Sequence, residues 1–177
     1  MTLNVALLRG INVGTAKPVS MAELATVFEG LGFDRVKTVL RSGNVVFASP
    51  GALPSAAAAA IERAILAATG VQSSVIVITA REFAAIAEAN PLLDIATDGS
   101  KLFVTFVAAM PKELEVPDVA ALAPELLVVG RAAVYQWIPQ GSLQTKVPRS
   151  FWKQFDATVT ARNWNTVRKL LALLKAD

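Results

Sequence analysis

Apolar residues fall along this chain in short blocks whose spacing switches between strand and helix periods. Residues 3–8, LNVALL, form a continuous apolar run ending at Arg9–Gly10 and read as a buried strand. Ser20 followed by Glu23 is a capping box. The helix it opens puts Leu24, Val27, Phe28 and Leu31 on one face, and Gly32 closes it. RVKTVL (35–40) and NVVFAS (44–49) are strand-like runs on either side of Arg41–Ser42–Gly43–Asn44, residues that favour a hairpin turn. PSAAAAAIERAILAATG (54–70) predicts a helix, begun by Pro54, sustained by alanine and capped by Gly70. SSVIVITA predicts the next strand, and Thr79 with Glu82 opens a further helix through a second capping box. Strand, helix, strand, strand, helix, strand over residues 1–79 is the order of a ferredoxin-like βαββαβ subdomain, one sheet with two helices on one face.

The pattern is less regular from residue 80 onwards. KLFVTFVAA (101–109) predicts a strand, a short helix is expected near Val119–Leu122, and LLVVG (126–130) and AAVYQWI (132–138) read as strands. A helix around 149–155, a strand ATVTA (157–161) and a helix from Asn163 to Lys175 complete the chain. Residues 80–177 are therefore expected to form a second α+β subdomain with a C-terminal helix. Its element order suggests a degenerate copy of the first, although no identities repeat. EANPLLDIATDGS (88–100), rich in turn residues, marks the boundary region. The fold class is α+β.

Composition removes several kinds of chemistry. The 177 residues contain neither cysteine nor histidine. That excludes thiol nucleophiles, disulfides, Cys-based zinc sites and a Ser–His–Asp triad. No calcium-loop pattern occurs, and neither a metal nor a cofactor is expected. With 54% hydrophobic residues the chain can bury a core. It has no apolar run long enough to span a membrane, and MTLNVALLRG lacks the features of a signal peptide, so a cytoplasmic protein without a membrane partner is expected. The net charge of +3 is unevenly spread: residues 80–142 carry four Lys/Arg against eight Asp/Glu, and residues 143–177 carry seven against two. A basic C-terminal segment suits nucleic acid or phosphate, and equally a solvated helical face.

Three polar, cation-bearing blocks stand out in this apolar chain. The first, RGINVGTAKP, places Arg9, Asn12 and Lys17 after the first strand. Backbone amides in such a glycine-containing turn can hold phosphate oxygens, although neither a dinucleotide fingerprint nor a Walker loop is present. Gly10 and Gly14 also suit a turn that needs positive φ. The second block is the hairpin with Arg41 and Asn44. In the third, VTARNWNTVRKLL, Arg162 and Asn163 flank a helix start, and Asn163 is a good N-cap with Thr166 at the third helical position. Trp164 beside Arg162 and Trp152 beside Lys153 can stack on bases, or sit in the core with a polar tip.

The blocks ALLRGINVG, SGNVVF and RNWNTVRKL, in that order, resemble the family called domain of unknown function 1697. Thr15 stands where its pattern has a second glycine, Ser20 where it has proline, Arg41 for glutamine, and Ala161 for threonine. Thr145–Lys146 loosely matches its Ser-Lys step. The resemblance implies an α+β fold of ferredoxin-like character and no activity. The leading expectation from the residues is a binding protein for an anionic ligand, a nucleic acid or a phosphorylated small molecule. Arg9, Asn12, Lys17, Arg41 and Asn44 would build the site, joined by Lys146, Arg162 and Asn163. The alternatives are an enzyme acting on a phosphorylated or carboxylated metabolite through Lys146 or Lys17, and a structural or interaction module. The oligomeric state is left open.

Overall fold

A computed structural model of the chain describes residues 1–12, 14 and 17–176. It is an α+β protein with two four-stranded antiparallel sheets and, among the described residues, five α-helices. The chain divides into two compact units, residues 1–83 with the end of the chain from residue 170, and residues 84–169.

In the first unit β1 (Thr2–Arg9), α1 (Met21–Gly30), β2 (Asp34–Val39), β3 (Asn44–Ser49), α2 (Ala57–Thr69) and β4 (Ser74–Thr79) follow the ferredoxin-like order. The sheet order is β2-β3-β1-β4 with every neighbour antiparallel. Split βαβ connections require this order, since each helix returns the chain past one intervening strand. One sheet face, with Ala6, Leu8, Val45, Phe47 and Val75, packs against Leu24, Val27 and Phe28 of α1 and Ile61 and Ile65 of α2. Phe28 meets Phe47 edge-on, with ring centroids 5.2 Å apart. The opposite face, with Val5, Leu7, Val46 and Ala48, is buried as well. For that reason β3 lacks polar alternation and reads as a continuous apolar run.

Local signals start and stop these elements. Ser20 Oγ accepts from the amide of Glu23 (3.1 Å) and the Glu23 carboxylate accepts from the amide of Ser20 (3.0 Å), which is the expected capping box. Gly70 ends α2 at φ +72°, and its amide donates to the Leu66 carbonyl. α2 begins at Ala57 rather than at Pro54; residues 55 and 56 are a turn, and Ala57 donates to the Pro54 carbonyl. On the helix flank Glu62 accepts from the amide of Val75 at 2.8 Å and holds the start of the edge strand.

α3 (Ala80–Glu88) then leads to β5 (Leu102–Val107), β6 (Leu126–Val129), β7 (Ala133–Trp137), α4 (Arg149–Trp152), β8 (Val159–Asn163) and α5 (Trp164–Ala176). The second sheet has the order β6-β7-β5-β8, which repeats the first sheet's order strand for strand. Between β5 and β6, where the first unit has α1, the helix expected near Val119–Leu122 is a series of turns closed by bonds such as Ala121 N to Asp118 O. Pro117 and Pro124 bracket that stretch and limit it to a turn's length. β8 lies two residues later than the apolar run ATVTA suggests, because its pairing with β5 extends to Phe103–Asn163.

The second capping box also forms: Glu82 accepts from the Thr79 hydroxyl (2.7 Å) and amide (3.1 Å). The hydroxyl contact, then the amide contact, holds the Glu82 carboxyl below its ordinary value. A carboxylate with a folded pKa below its unfolded one adds stability above the unfolded value, and loses it as pH falls through the folded value. Glu82→Gln should therefore flatten the acid limb of melting temperature against pH below about 4.5, read by calorimetry. An acid limb unchanged from the parent would show that this cap contributes nothing.

Candidate functional site

The first unit brings the first two motif blocks to one end of its sheet. β1 ends there at Arg9, β3 begins there at Asn44, and the four-residue turn 40–43 joins β2 to β3. Leu7 pairs with Asn44, and the Leu8 amide donates to the Gly43 carbonyl at 2.8 Å, so the Arg9 end of β1 adjoins the Arg41 turn. Gly43 sits at φ +80°, and a Cβ there would come within 2.8 Å of Ile11 Cδ1 and Leu8 Cβ, so glycine is required on both counts. Gly10 (φ +85°) and Gly14 (φ +60°) serve the turn after β1, as their backbone geometry demands.

Asn12 is the tie between these loops. At φ +52°, its Nδ2 donates to the carbonyls of Val19 (3.0 Å) and Arg41 (2.8 Å), and its Oδ1 accepts from the amide of Val19 (2.8 Å). Both amide donors are thus committed to loop backbone. Lys17 is committed too: its Nζ donates to the carbonyl of Thr69 (2.8 Å), the last residue of α2, where a cation also meets the negative end of the helix dipole. Asn44, fully buried, donates to the Val39 carbonyl (2.8 Å) and Ser42 Oγ (3.0 Å) and closes the hairpin. Arg9 and Arg41 are exposed. Their carbonyls are held, by Ser73 Oγ at 2.9 Å and by Asn12, and neither side chain forms an ion pair among the described residues. Thr15 lies outside the described residues, as do Val13 and Ala16.

The remaining three candidates belong to the second unit. Arg162 is 6% exposed and donates to Thr160 Oγ1 and the Ala161 carbonyl, both at 2.8 Å. Burial pulls its guanidinium down to about 10, so it is still charged at neutral pH. Asn163 caps α5 as its position suggests, with Oδ1 accepting from the amide and hydroxyl of Thr166, both at 3.0 Å. Trp152 joins Phe151 and Phe155 in an aromatic cluster at the edge of the second core, with centroids 4.8 and 5.7 Å away. Exposed Lys146 bonds the carbonyl of Ala123 through Nζ.

Beside Lys146 lies a residue that the motifs did not single out. Glu125, 2% exposed, accepts from Gln136 Nε2 (3.1 Å), Thr145 Oγ1 (2.7 Å) and the amide of Lys146 (2.7 Å). One carboxylate thus fastens the 142–147 segment to β7. The signal for it was a lone glutamate inside the apolar run LAPELLVV, a charge that burial tolerates only when its oxygens are bonded. Among the described residues no cluster of acidic side chains could hold a metal ion, and no helix is long and apolar enough to cross a membrane.

Two substitutions test whether these polar centres hold the loops. Asn12→Ala should lower the urea unfolding free energy by about 2 kcal/mol, because three bonds go and the Val19 amide and carbonyl lose their partner. A change below about 0.5 kcal/mol would mean that the loops hold without it. Glu125→Gln keeps one oxygen but turns an NH2 towards the Lys146 amide, and should cost about 1–3 kcal/mol in the same assay. Stability equal to the parent would show that the buried carboxylate is dispensable.

Comparison with known proteins places the chain. No curated protein matches it. A solved structure described as that of the conserved bacterial protein SP0830 from Streptococcus pneumoniae superposes with a TM-score of 0.71 at 25% identity, over 98% of each chain. The α+β fold is therefore shared along essentially the full length. A family model described as "Protein of unknown function (DUF1697)" matches residues 1–135, the stretch containing the RGINVG and SGNVVF blocks. The chain belongs to the DUF1697 family.

Proposed function

We infer that the loop end of the first sheet binds a phosphate-bearing ligand through Arg9 and Arg41, with Asn12, Lys17 and Asn44 as its scaffold. The observation that carries this reading is the Asn12 bridge, which fastens the loop after Arg9 to the carbonyl of Arg41 at 2.8 Å. It keeps two exposed arginines, one ending β1 and one in the turn before β3, at one end of the sheet, and among the described residues neither side chain forms an ion pair. Arginine suits the task because its planar fork of donors matches phosphate oxygens in pairs.

The start of α1 supports the assignment to side chains. The amides of Ser20 and Glu23 are already taken by each other's side chains, and the Glu23 carboxylate would repel an anion there. Exposed Lys17 already donates through Nζ to the Thr69 carbonyl at the end of α2. Among the described residues of these two loops, the two arginines are then the cations whose side chains remain for a ligand.

Binding of fluorescently labelled single-stranded RNA and DNA, and thermal shifts with ATP and inorganic phosphate, would test this at two or more salt concentrations. Arg9→Ala/Arg41→Ala should weaken whichever probe binds at least about tenfold, and for a polynucleotide should lower the salt slope by about 2. Both residues are exposed, so the melting temperature should stay near the parent's. Tight polynucleotide binding that fades with salt identifies a nucleic-acid backbone, and a shift with ATP or phosphate alone identifies a small ligand. Unchanged affinity in the double variant, or no binding by any probe, refutes the reading.

A further inference from the structure

A groove of about 710 Å³ lies between α1 and α2, walled by Ala22, Thr26 and Gly30 on one side and by Ala64, Ala67 and Ala68 on the other. Side chains this small leave the valley between the two helices unfilled. Leu31 and Leu66 add apolar surface at 36% and 46% exposure. Two helices packed on a sheet ordinarily turn their polar stripes outward. This layer instead turns outward alanine, glycine and leucine, with few charges.

Those charges are divided by helix. α1 exposes Glu23 and Glu29 and carries no basic residue, whereas α2 exposes Arg63, its one acid, Glu62, being bonded to Val75. Neither Glu29 nor Arg63 forms an ion pair among the described residues. Glu29 precedes the groove residue Gly30, and Arg63 precedes the groove residue Ala64.

We propose that this face is a two-fold interface with a second copy of the chain, α1 of each copy lying over α2 of the other. A two-fold axis along the groove is the operation that sets an acidic helix against a basic one twice, so that Glu29 of each copy meets Arg63 of the other. A partner of a single charge sign would satisfy one helix and repel the other. The small residues let the facing helices approach closely before side chains collide, which favours helices as the occupant. α1 has 10 residues and α2 has 13. At about 1.5 Å rise per residue they are roughly 15 and 20 Å long. A face of that length and two helices wide falls at or below the ~800 Å² per partner of a standard interface. The dimer is therefore weak and concentration-dependent. It uses a different surface from the arginine pair and stands or falls independently of ligand binding.

Sedimentation equilibrium of the full chain, from about 1 μM to several hundred μM, tests the proposal. The expected result is a reversible monomer–dimer equilibrium with a midpoint in the micromolar range. Arg63→Glu and Glu29→Arg should each raise the dissociation constant about tenfold or more, and the double exchange should restore it to within about threefold of the parent. Ala67→Trp, which fills the groove from an exposed position, should also abolish the dimer. Far-UV circular dichroism melts check that each variant is folded. A monomer at the highest concentration, a dimer indifferent to all the variants, or single exchanges that the double exchange fails to rescue would each overturn the proposal.

Discussion

The Asn12 side chain makes three hydrogen bonds: two to Val19 brace the loop following β1, and one to the Arg41 carbonyl joins that loop to the turn between β2 and β3. Everything inferred about the loop end of the first sheet depends on that bridge. Arg9 ends β1 and Arg41 lies in the turn that leads into the neighbouring β3, but strand pairing alone settles only the backbone up to Gly43. Beyond it the two loops would be free to part. An asparagine suits the position for two reasons. It tolerates positive φ better than other non-glycine residues, and its amide offers donors and an acceptor at one point. An aspartate would keep the acceptor and lose both donors, leaving the Val19 and Arg41 carbonyls without a partner.

The repeat of strand order, β2-β3-β1-β4 and β6-β7-β5-β8, shows how much of a fold survives when its covering elements change. In the first unit α1 and α2 close one face of the sheet. In the second, turns replace the helix of the first crossover, and α4 is four residues long. The core there is completed by Leu122, Val147, Phe151 and Phe155, which come from loops and one short helix. Loop residues can do this only if the loops are held, and Glu125 is the holding group for one of them. A buried carboxylate with three donors is a costly way to anchor a loop, and it is tolerable because every bond is made.

Elements governed by short-range rules were legible in the sequence. The pairs Ser20–Glu23 and Thr79–Glu82 satisfy helix starts within four residues, and Gly70 ends a helix by its own backbone preference. The strands of the first unit, and with them the ferredoxin-like order, followed from the same local evidence. Features that depend on distant partners were not legible. Lys17 could be read as a free cation because Thr69 lies 52 positions away, and Glu62 as a solvated charge because Val75 lies beyond the end of its helix. The register of β8 was misplaced because its pairing with β5, not its own apolar run, sets its ends. Of the candidate site residues, Asn12, Lys17, Arg41 and Lys146 do lie in loops, while Arg162 and Asn163 lie in β8. The sequence could not say which polar atoms the fold would consume.

That distribution of work among the cations follows a physical order. Lys17 presents a compact ammonium on a flexible stem, well suited to reaching a single helix-terminal carbonyl. Arg162 is buried and remains charged at neutral pH even with its pKa drawn down to about 10, where a lysine would more readily give up its proton. Its planar guanidinium can spread several donors over neighbouring oxygens, as it does with Thr160 Oγ1 and the Ala161 carbonyl. Arg9 and Arg41 carry the same fork but are exposed, and among the described residues neither side chain forms an ion pair. A surface arginine gains little from a neighbouring acid, because water and salt screen the pair. It gains more from a ligand that takes two of its donors at once. In a chain without histidine or cysteine, such geometry is the strongest recognition chemistry its side chains offer to an anion.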